Sequence, residues 1–159
     1  MNNKWTSKLA DLSETDKNWL ASAIDFEGCI DISEFYPQRR QYGEFRTRIS
    51  VGVTDKVLVD RIVELTNGLG SIYHRIRMNG HYKDVWEWSV SALQAEAFLD
   101  AISPYVIAKQ KQMDLFKKFI STKSQIRPCP NRHLPDDIIR ERHKLIAELR
   151  SLKKGGNNE

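Results

Sequence analysis

Apolar side chains change their spacing several times along the chain, and each change marks an element. Around residues 29–36, Ile30 and Ile32 point one way while Asp31, Ser33 and Phe35 point the other, the period of a half-buried strand. Residues 44–53 repeat the pattern cleanly: Phe45, Thr47, Ile49, Val51 and Val53 share one face, and Glu44, Arg46, Arg48, Ser50 and Gly52 share the other. A third strand over about 70–78 sets Ile72 and Ile76 against Tyr73, Arg75 and Arg77. Asn79-Gly80 is a two-residue hairpin signal. A fourth strand over about 82–90 turns Trp86, Trp88 and Val90 inward and Lys83, Val85, Glu87 and Ser89 outward. Strands with one fully polar face belong to an antiparallel sheet whose outer side meets water or a polar partner.

Between and around these strands the period becomes helical. Ser13 caps a first helix that runs to Glu27 and stops at Gly28, with Asp16 placed as in a capping box. Thr54 or Asp55 opens a second helix over about 55–66, with Val57, Leu58, Ile62, Val63 and Leu65 as its apolar face. Ser91 is positioned to cap a third helix through about Ile102, and Pro104 punctuates. A fourth helix covers about 106–121. A loop with Pro128, Pro130 and Pro135 leads to a last helix over about 136–153. The order is α-β-β-α-β-β-α-α plus an appended helix. It divides into a lead-in at 1–12, a core domain at 13–121 and a C-terminal loop, basic helix and tail at 122–159.

Composition narrows the class without naming a function. The chain has 159 residues, 40% hydrophobic and 29% charged, as an ordinary soluble domain does. No apolar run reaches membrane-spanning length and the N-terminus carries no signal-peptide core, so an intracellular protein is expected. Cys29 and Cys129 lie too far apart for a metal spacing and read as thiols rather than a disulfide. His74, His81, His133 and His143 show no ligand spacing, which excludes zinc. The net charge of +4 resides in residues 123–159, with nine Lys and Arg against five Asp and Glu; the rest holds sixteen of each. Net charge therefore does not argue for nucleic acid, and the argument rests on how charges are arranged on the strands.

One stretch resists the pattern. Trp19-Leu20-Ala21-Ser22-Ala23-Ile24-Asp25-Phe26-Glu27-Gly28 is apolar or small on nearly every side, yet Asp25 and Glu27 stand at the helix C-terminus, where the dipole disfavours negative charge. Something cationic is expected to meet them. Leu20–Gly28 resembles the signature of the LAGLIDADG homing endonucleases. Leu20, Ala21, Ile24, Asp25 and Gly28 match it, and Glu27 is its common alternative acid. Ser22 stands where the pattern has Gly, Ala23 where it has a larger apolar residue, and Phe26 where it has Ala or Gly. The order of elements extends the likeness over roughly 13–121.

The resemblance implies an α+β fold of αββαββα order: a four-stranded antiparallel, saddle-shaped sheet packed under helices, here with an added C-terminal helix. It implies that Glu27 binds a divalent cation, Mg²⁺ or another such as Mn²⁺, at a scissile phosphate, with the backbone carbonyl of Phe26 joining it. Hard oxygen ligands suit that chemistry. Lys109, in Ile107-Ala108-Lys109-Gln110, resembles the lysine that stabilises phosphate charge or orients water. Asp55 stands where relatives often carry a water-positioning Gln, and reads equally as a helix cap. With a single motif the family implies a homodimer, its first helices packed through Ala21, Ser22 and Asp25. Two Glu27 carboxylates near a two-fold axis would raise each other's pKa unless cations intervene.

The polar strand faces supply a recognition surface. Asp31, Ser33, Phe35, Arg46, Arg48, Ser50, Tyr73, Arg75, Arg77, Lys83 and Glu87 mix forked arginines with Ser, acids and aromatics. That mixture suits base edges in a major groove, whereas phosphate clamping needs only positive charge. Arg39 and Arg40 would touch phosphate at the rim. A solvated face is the plain alternative for any single strand. The expectation is a homodimeric homing endonuclease cutting both strands of double-stranded DNA at a long pseudo-palindromic site, in a prokaryotic cytoplasm or an organelle, with no membrane. The alternative is an RNA maturase or a non-cleaving DNA-binding protein of the same fold.

Overall fold

The helical and alternating segments fold as the sequence orders them. The computed structural model describes residues 4–36, 43–77, 83–124 and 133–155. Its elements are α1 (Glu14–Glu27), β1 (Gly28–Phe35), β2 (Glu44–Val53), α2 (Lys56–Leu65), β3 (Ser71–Arg75), β4 (Val85–Ser91), α3 (Ala92–Ile102), α4 (Gln110–Ser124) and α5 (Asp136–Gly155), with 3-10 turns at Ser7–Leu9 and Ser103–Tyr105. The strands form one antiparallel sheet in the order β1-β2-β4-β3. The chain divides into two compact units, Met1–Ile30 with Arg48–Gln110, and Asp31–Thr47 with Lys111–Glu159. The division falls inside β1 and β2. The expected boundary at 121/122 falls inside α4.

In the first unit the inner faces of the strands carry the core. Ile49, Val51, Trp88 and Val90 are buried, as are Leu20 and Ile24 of α1 and Phe98 and Leu99 of α3. Trp88 meets Phe98 edge-on at 5.0 Å and donates its indole N–H to the Leu69 carbonyl at 2.8 Å, so its one polar atom is satisfied. The lead-in is tied down: Leu9 is buried, Lys8 Nζ donates to the Asn67 carbonyl, and the Asn67 amide donates back to the Lys8 carbonyl.

Several elements differ from the expected ones. The buried residues of α2 are Val59 and Ile62, continued by its C-cap Thr66, while Val57 and Leu58 are exposed. β3, the edge strand, ends at Arg75 and is exposed throughout, Ile72 included, and Ile76 beyond it is exposed too. Ser91 precedes α3 without a capping hydrogen bond. It is still paired in β4, opposite Arg48, and Ala92 makes the turn in the left-handed region at φ 49°. The Asn79-Gly80 hairpin lies outside the described residues.

In the second unit α5 is a brace. Its Ile138, Leu145, Ile146 and Leu149 are buried, as are Phe116 and Phe119 of α4. Arg142 is buried too. Its guanidinium lies 5.0 Å from the Phe45 ring and 4.9 Å from that of Phe119, and Nε donates to Thr122 Oγ1 at 2.9 Å. Burial pulls its pKa below the ordinary arginine value, partly opposed by Glu141. The aromatic faces and the hydroxyl are what make a buried cation tolerable there. His143 meets Glu34 at 2.8 Å, and Lys153 Nζ donates to Asp31 at 2.8 Å, so α5 also holds β1 through side chains.

Candidate cleavage centre and nucleic-acid interface

The start of α1 is closed by Ser13. Its hydroxyl accepts from the Asp16 N–H at 3.1 Å and donates to the Asp16 carboxylate at 2.6 Å, a reciprocal cap. The helix then runs to Glu27 and passes straight into β1. Gly28 is extended, at φ −80° and ψ 150°, so the glycine is not needed for a left-handed turn. It is needed for space: a Cβ there would lie 2.5 Å from the Ile24 carbonyl oxygen.

The cation expected at this helix end is supplied by the chain itself. Lys109 Nζ donates to the carbonyls of Ile24 and Asp25, at 2.8 and 2.6 Å. Those carbonyls are among the last of α1, the negative end of its dipole. The Asp25 carboxylate in turn accepts the backbone N–H groups of Ile107 and Lys109, at 2.8 and 3.0 Å. Asp25 and Lys109 thus form a reciprocal clasp between α1 and the segment entering α4. The clasp explains why α4 begins at Gln110 and not near 106. Burial lowers the Lys109 pKa below its ordinary value, and the charges of Asp25, Cys29 and Glu27 push it back up. Glu27 itself is exposed, and Phe26 beside it is 83% exposed.

Asp55 is the N-cap of α2, its Oδ1 accepting the Val57 N–H at 3.0 Å. Ala21, expected at a subunit contact, is fully buried inside the unit and has no surface to offer a partner. Asp25, expected beside it, is committed to the clasp. Ser22 is exposed, its hydroxyl bonded to the Asn18 carbonyl. It lines an apolar groove of about 220 Å³ with Trp19, Ala23, Phe26 and Leu58, and with Glu27 at one margin.

On the outer face of the first unit, β2, β4 and β3 bring Arg48, Ser50, Glu87, Tyr73 and Arg75 together. The register sets Tyr73 opposite Glu87, Arg75 opposite Val85 and Ser50 opposite Ser89. Glu87 is only 9% exposed and holds two arginines at once, Oε1 to Arg48 Nη2 and Oε2 to Arg75 Nη2. Arg77 and Lys83 lie beyond the strand ends, exposed; the Arg77 N–H donates to Asp84. Asp84 also meets His74, which stacks on Trp86 at 4.0 Å on the opposite face. Ser89 and Ser91 join the arginine face, as the alternation of β4 already places them.

In the second unit Asp31 is engaged by Lys153, and the Arg46 guanidinium lies 4.8 Å from the Phe35 ring. Ser33 shares their parity on β1. Arg39 and Arg40 lie outside the described residues. Lys153 was not singled out by the sequence, since nothing in an alternation pattern reports a partner on a helix 122 positions away.

No family model matches this chain, and no curated protein matches it. Solved structures do. The chain is similar to the archaeal intron-encoded homing endonuclease I-Vdi141I complexed with DNA, with a TM-score of 0.68, 16% identity and coverage of 87% of this chain and 84% of that one. It is similar to the homing endonuclease I-CvuI in complex with its target in the presence of 2 mM Ca, with a TM-score of 0.65, 18% identity and coverage of 87% and 82%. The LAGLIDADG homing endonuclease I-LtrWI bound to target DNA gives a TM-score of 0.64 at 20% identity, covering 86% of this chain and 45% of that one. These likenesses establish the LAGLIDADG homing endonuclease fold.

Proposed function

We propose that this chain, which has the LAGLIDADG homing endonuclease fold, is a homodimeric, divalent-metal-dependent endonuclease that cuts double-stranded DNA at a long pseudo-palindromic site. The observation that carries the reading is the end of α1. An exposed carboxylate, Glu27, stands beside a lysine, Lys109, whose ammonium is fixed on the carbonyls of Ile24 and Asp25. An arginine-bearing sheet face in the same unit supplies recognition.

Among the described residues no three His, Cys, Asp or Glu side chains gather into a metal cage. One exposed carboxylate fits a cation that keeps most of its waters and takes further oxygens from substrate phosphate, as Mg²⁺ does. Glu27, with the Phe26 carbonyl, would hold it. Such an ion, when bound, would polarise the scissile phosphate and stabilise charge on its attacking and leaving oxygens. Lys109 spends two of its three ammonium N–H groups on helix carbonyls, and the third would serve a phosphate oxygen or the attacking water. Asp55 caps with Oδ1, and its other oxygen would orient water.

A double-strand cut needs two such centres, and the described residues hold one. This chain matches less than half of I-LtrWI, leaving room there for a second unit of this kind. The contact surface we assign is Ser22, Ala23 and the exposed Phe26, apolar and beside Glu27. The proposed setting is intracellular, a prokaryotic cytoplasm or an organelle. Among the described residues no helix is long and apolar enough to cross a membrane.

The test is Glu27→Gln on sites recovered from a randomised duplex library. Wild-type protein should linearise plasmids carrying the sites in Mg²⁺ and not in EDTA. The variant should bind and not cut. Cutting by the variant at the wild-type rate removes Glu27 from the mechanism. Binding without cutting by the wild type, in Mg²⁺ and in Mn²⁺, would leave a non-cleaving binder, and preference for structured RNA would favour a maturase.

A further inference from the structure

We infer that Glu87 is a positioning residue which sets the specificity of the sheet face by holding Arg48 and Arg75 in fixed forks; the inference rests on the DNA-binding reading above. The geometry is that of a three-strand bridge. Glu87 stands on β4, in the middle, opposite Gly52 on one side and Tyr73 on the other. Arg75 reaches it diagonally from the neighbouring face position of β3. Arg48 reaches it from β2 along two face positions, past Ser50 and Ser89. Gly52 presents no side chain to interrupt that path. A Cβ there would meet only Val85 Cγ1, at 3.7 Å, so the backbone does not demand glycine at this point.

Each guanidinium meets Glu87 through Nη2, and a guanidinium has five donors in a rigid plane. The remaining donors of each arginine therefore project from a fixed plane at a fixed separation. Two arginines without the acid between them would repel and sample several rotamers. Ordering such a side chain only on binding costs conformational entropy, and preorganisation removes that cost. The acid has an opposite effect on affinity. Its negative charge, in the middle of a surface that meets phosphates, weakens sequence-independent attraction. Glu87 thus lowers non-specific binding and sharpens base reading at once. A residue placed only to strengthen DNA binding would have neither an acid's charge nor this burial.

The experiment compares wild type, Glu87→Gln, Arg48→Lys and Arg75→Lys. Each is titrated against a labelled duplex selected by the wild type from a randomised library, and against a random-sequence duplex of equal length, over a range of salt. Glu87→Gln keeps the size of the side chain but can accept from only one arginine. It should bind the random duplex several-fold more tightly, with a salt slope steeper by about 0.9. Its preference for the selected duplex should fall at least about tenfold. The lysine variants keep charge and lose the fork, so discrimination should fall with the salt slope unchanged. An unchanged preference ratio in Glu87→Gln overturns the inference. So does equal weakening on both duplexes, the mark of a structural role alone. Failure of the wild type to bind any duplex overturns the DNA reading, and the inference with it.

Discussion

Replacing Asp25 by alanine sets two effects of opposite sign against each other. A carboxylate at a helix C-terminus is unfavourable by about 0.3–1 kcal/mol, so its removal alone would stabilise the chain. The same carboxylate accepts two backbone N–H groups, from Ile107 and Lys109. Hydrogen bonds to a charged acceptor contribute about 1.5–3 kcal/mol each when well buried. Asp25 is half-exposed, so about 1–1.5 kcal/mol apiece is the better figure. The hydrogen bonds win, and Asp25→Ala should destabilise the first unit by about 2 kcal/mol, or some 4–8 °C in Tm. Asp25→Asn keeps one acceptor oxygen and should lose about half as much. All four tryptophans, Trp5, Trp19, Trp86 and Trp88, belong to the first unit, so tryptophan fluorescence in urea reads the relevant transition. The loss should be the same at low and high protein concentration, because the clasp is within one chain. A loss that appears only where subunits associate would return Asp25 to a dimer interface. A neutral or stabilising Asp25→Ala would refute the clasp.

Two backbone positions give further tests. Gly70 has φ +89°, and a Cβ there would lie 2.7 Å from both the Ser89 carbonyl oxygen and Trp88 Nε1. Gly70→Ala should therefore cost about 3 kcal/mol or more and displace Trp88 from its bond to Leu69, read as a shifted urea midpoint and a red-shifted emission. Ala92 is held at φ 49°, where a non-glycine residue is disfavoured by about 1–2 kcal/mol. Ala92→Gly should raise the urea midpoint by the equivalent of about 0.5–1 kcal/mol, and a decrease would mean that the Ala92 methyl contributes packing that outweighs the strain.

What could be read in the sequence was whatever depends on neighbours a few positions apart. Alternation in residues 44–53 placed Phe45, Thr47, Ile49, Val51 and Val53 on one face of β2; the last four are buried and Phe45 is half-buried. The capping of α1 by Ser13 and the stop at Gly28 were equally local. The failures share a cause as well. Helical spacing around 55–66 admits several apolar stripes, and packing against β4 selects Val59 and Ile62 while Val57 and Leu58 remain outside. Ser91 has the chemistry of a cap, yet its pairing with Arg48 keeps it in the strand.

The two acids at the end of α1 show where local reading ends. Sequence could say that Asp25 and Glu27 stand at an electrostatically poor place and need a cation. It could not say that the two acids have different fates. Asp25 is turned inward by a segment more than 80 positions away, where the Ile107 and Lys109 N–H groups would otherwise lack partners. Glu27, two residues on, stays exposed. Lys109 answers the helix carbonyls and sits near both acids, so its charge is not fully consumed by Asp25. That division of labour is what the proposed cleavage chemistry would use. One acid fixes the lysine's backbone, the lysine neutralises the helix end, and the second acid is left with its oxygens available to a cation. Had both acids been clasped, the helix end would be a structural joint. Had neither been, Lys109 would have no reason to be held where it is.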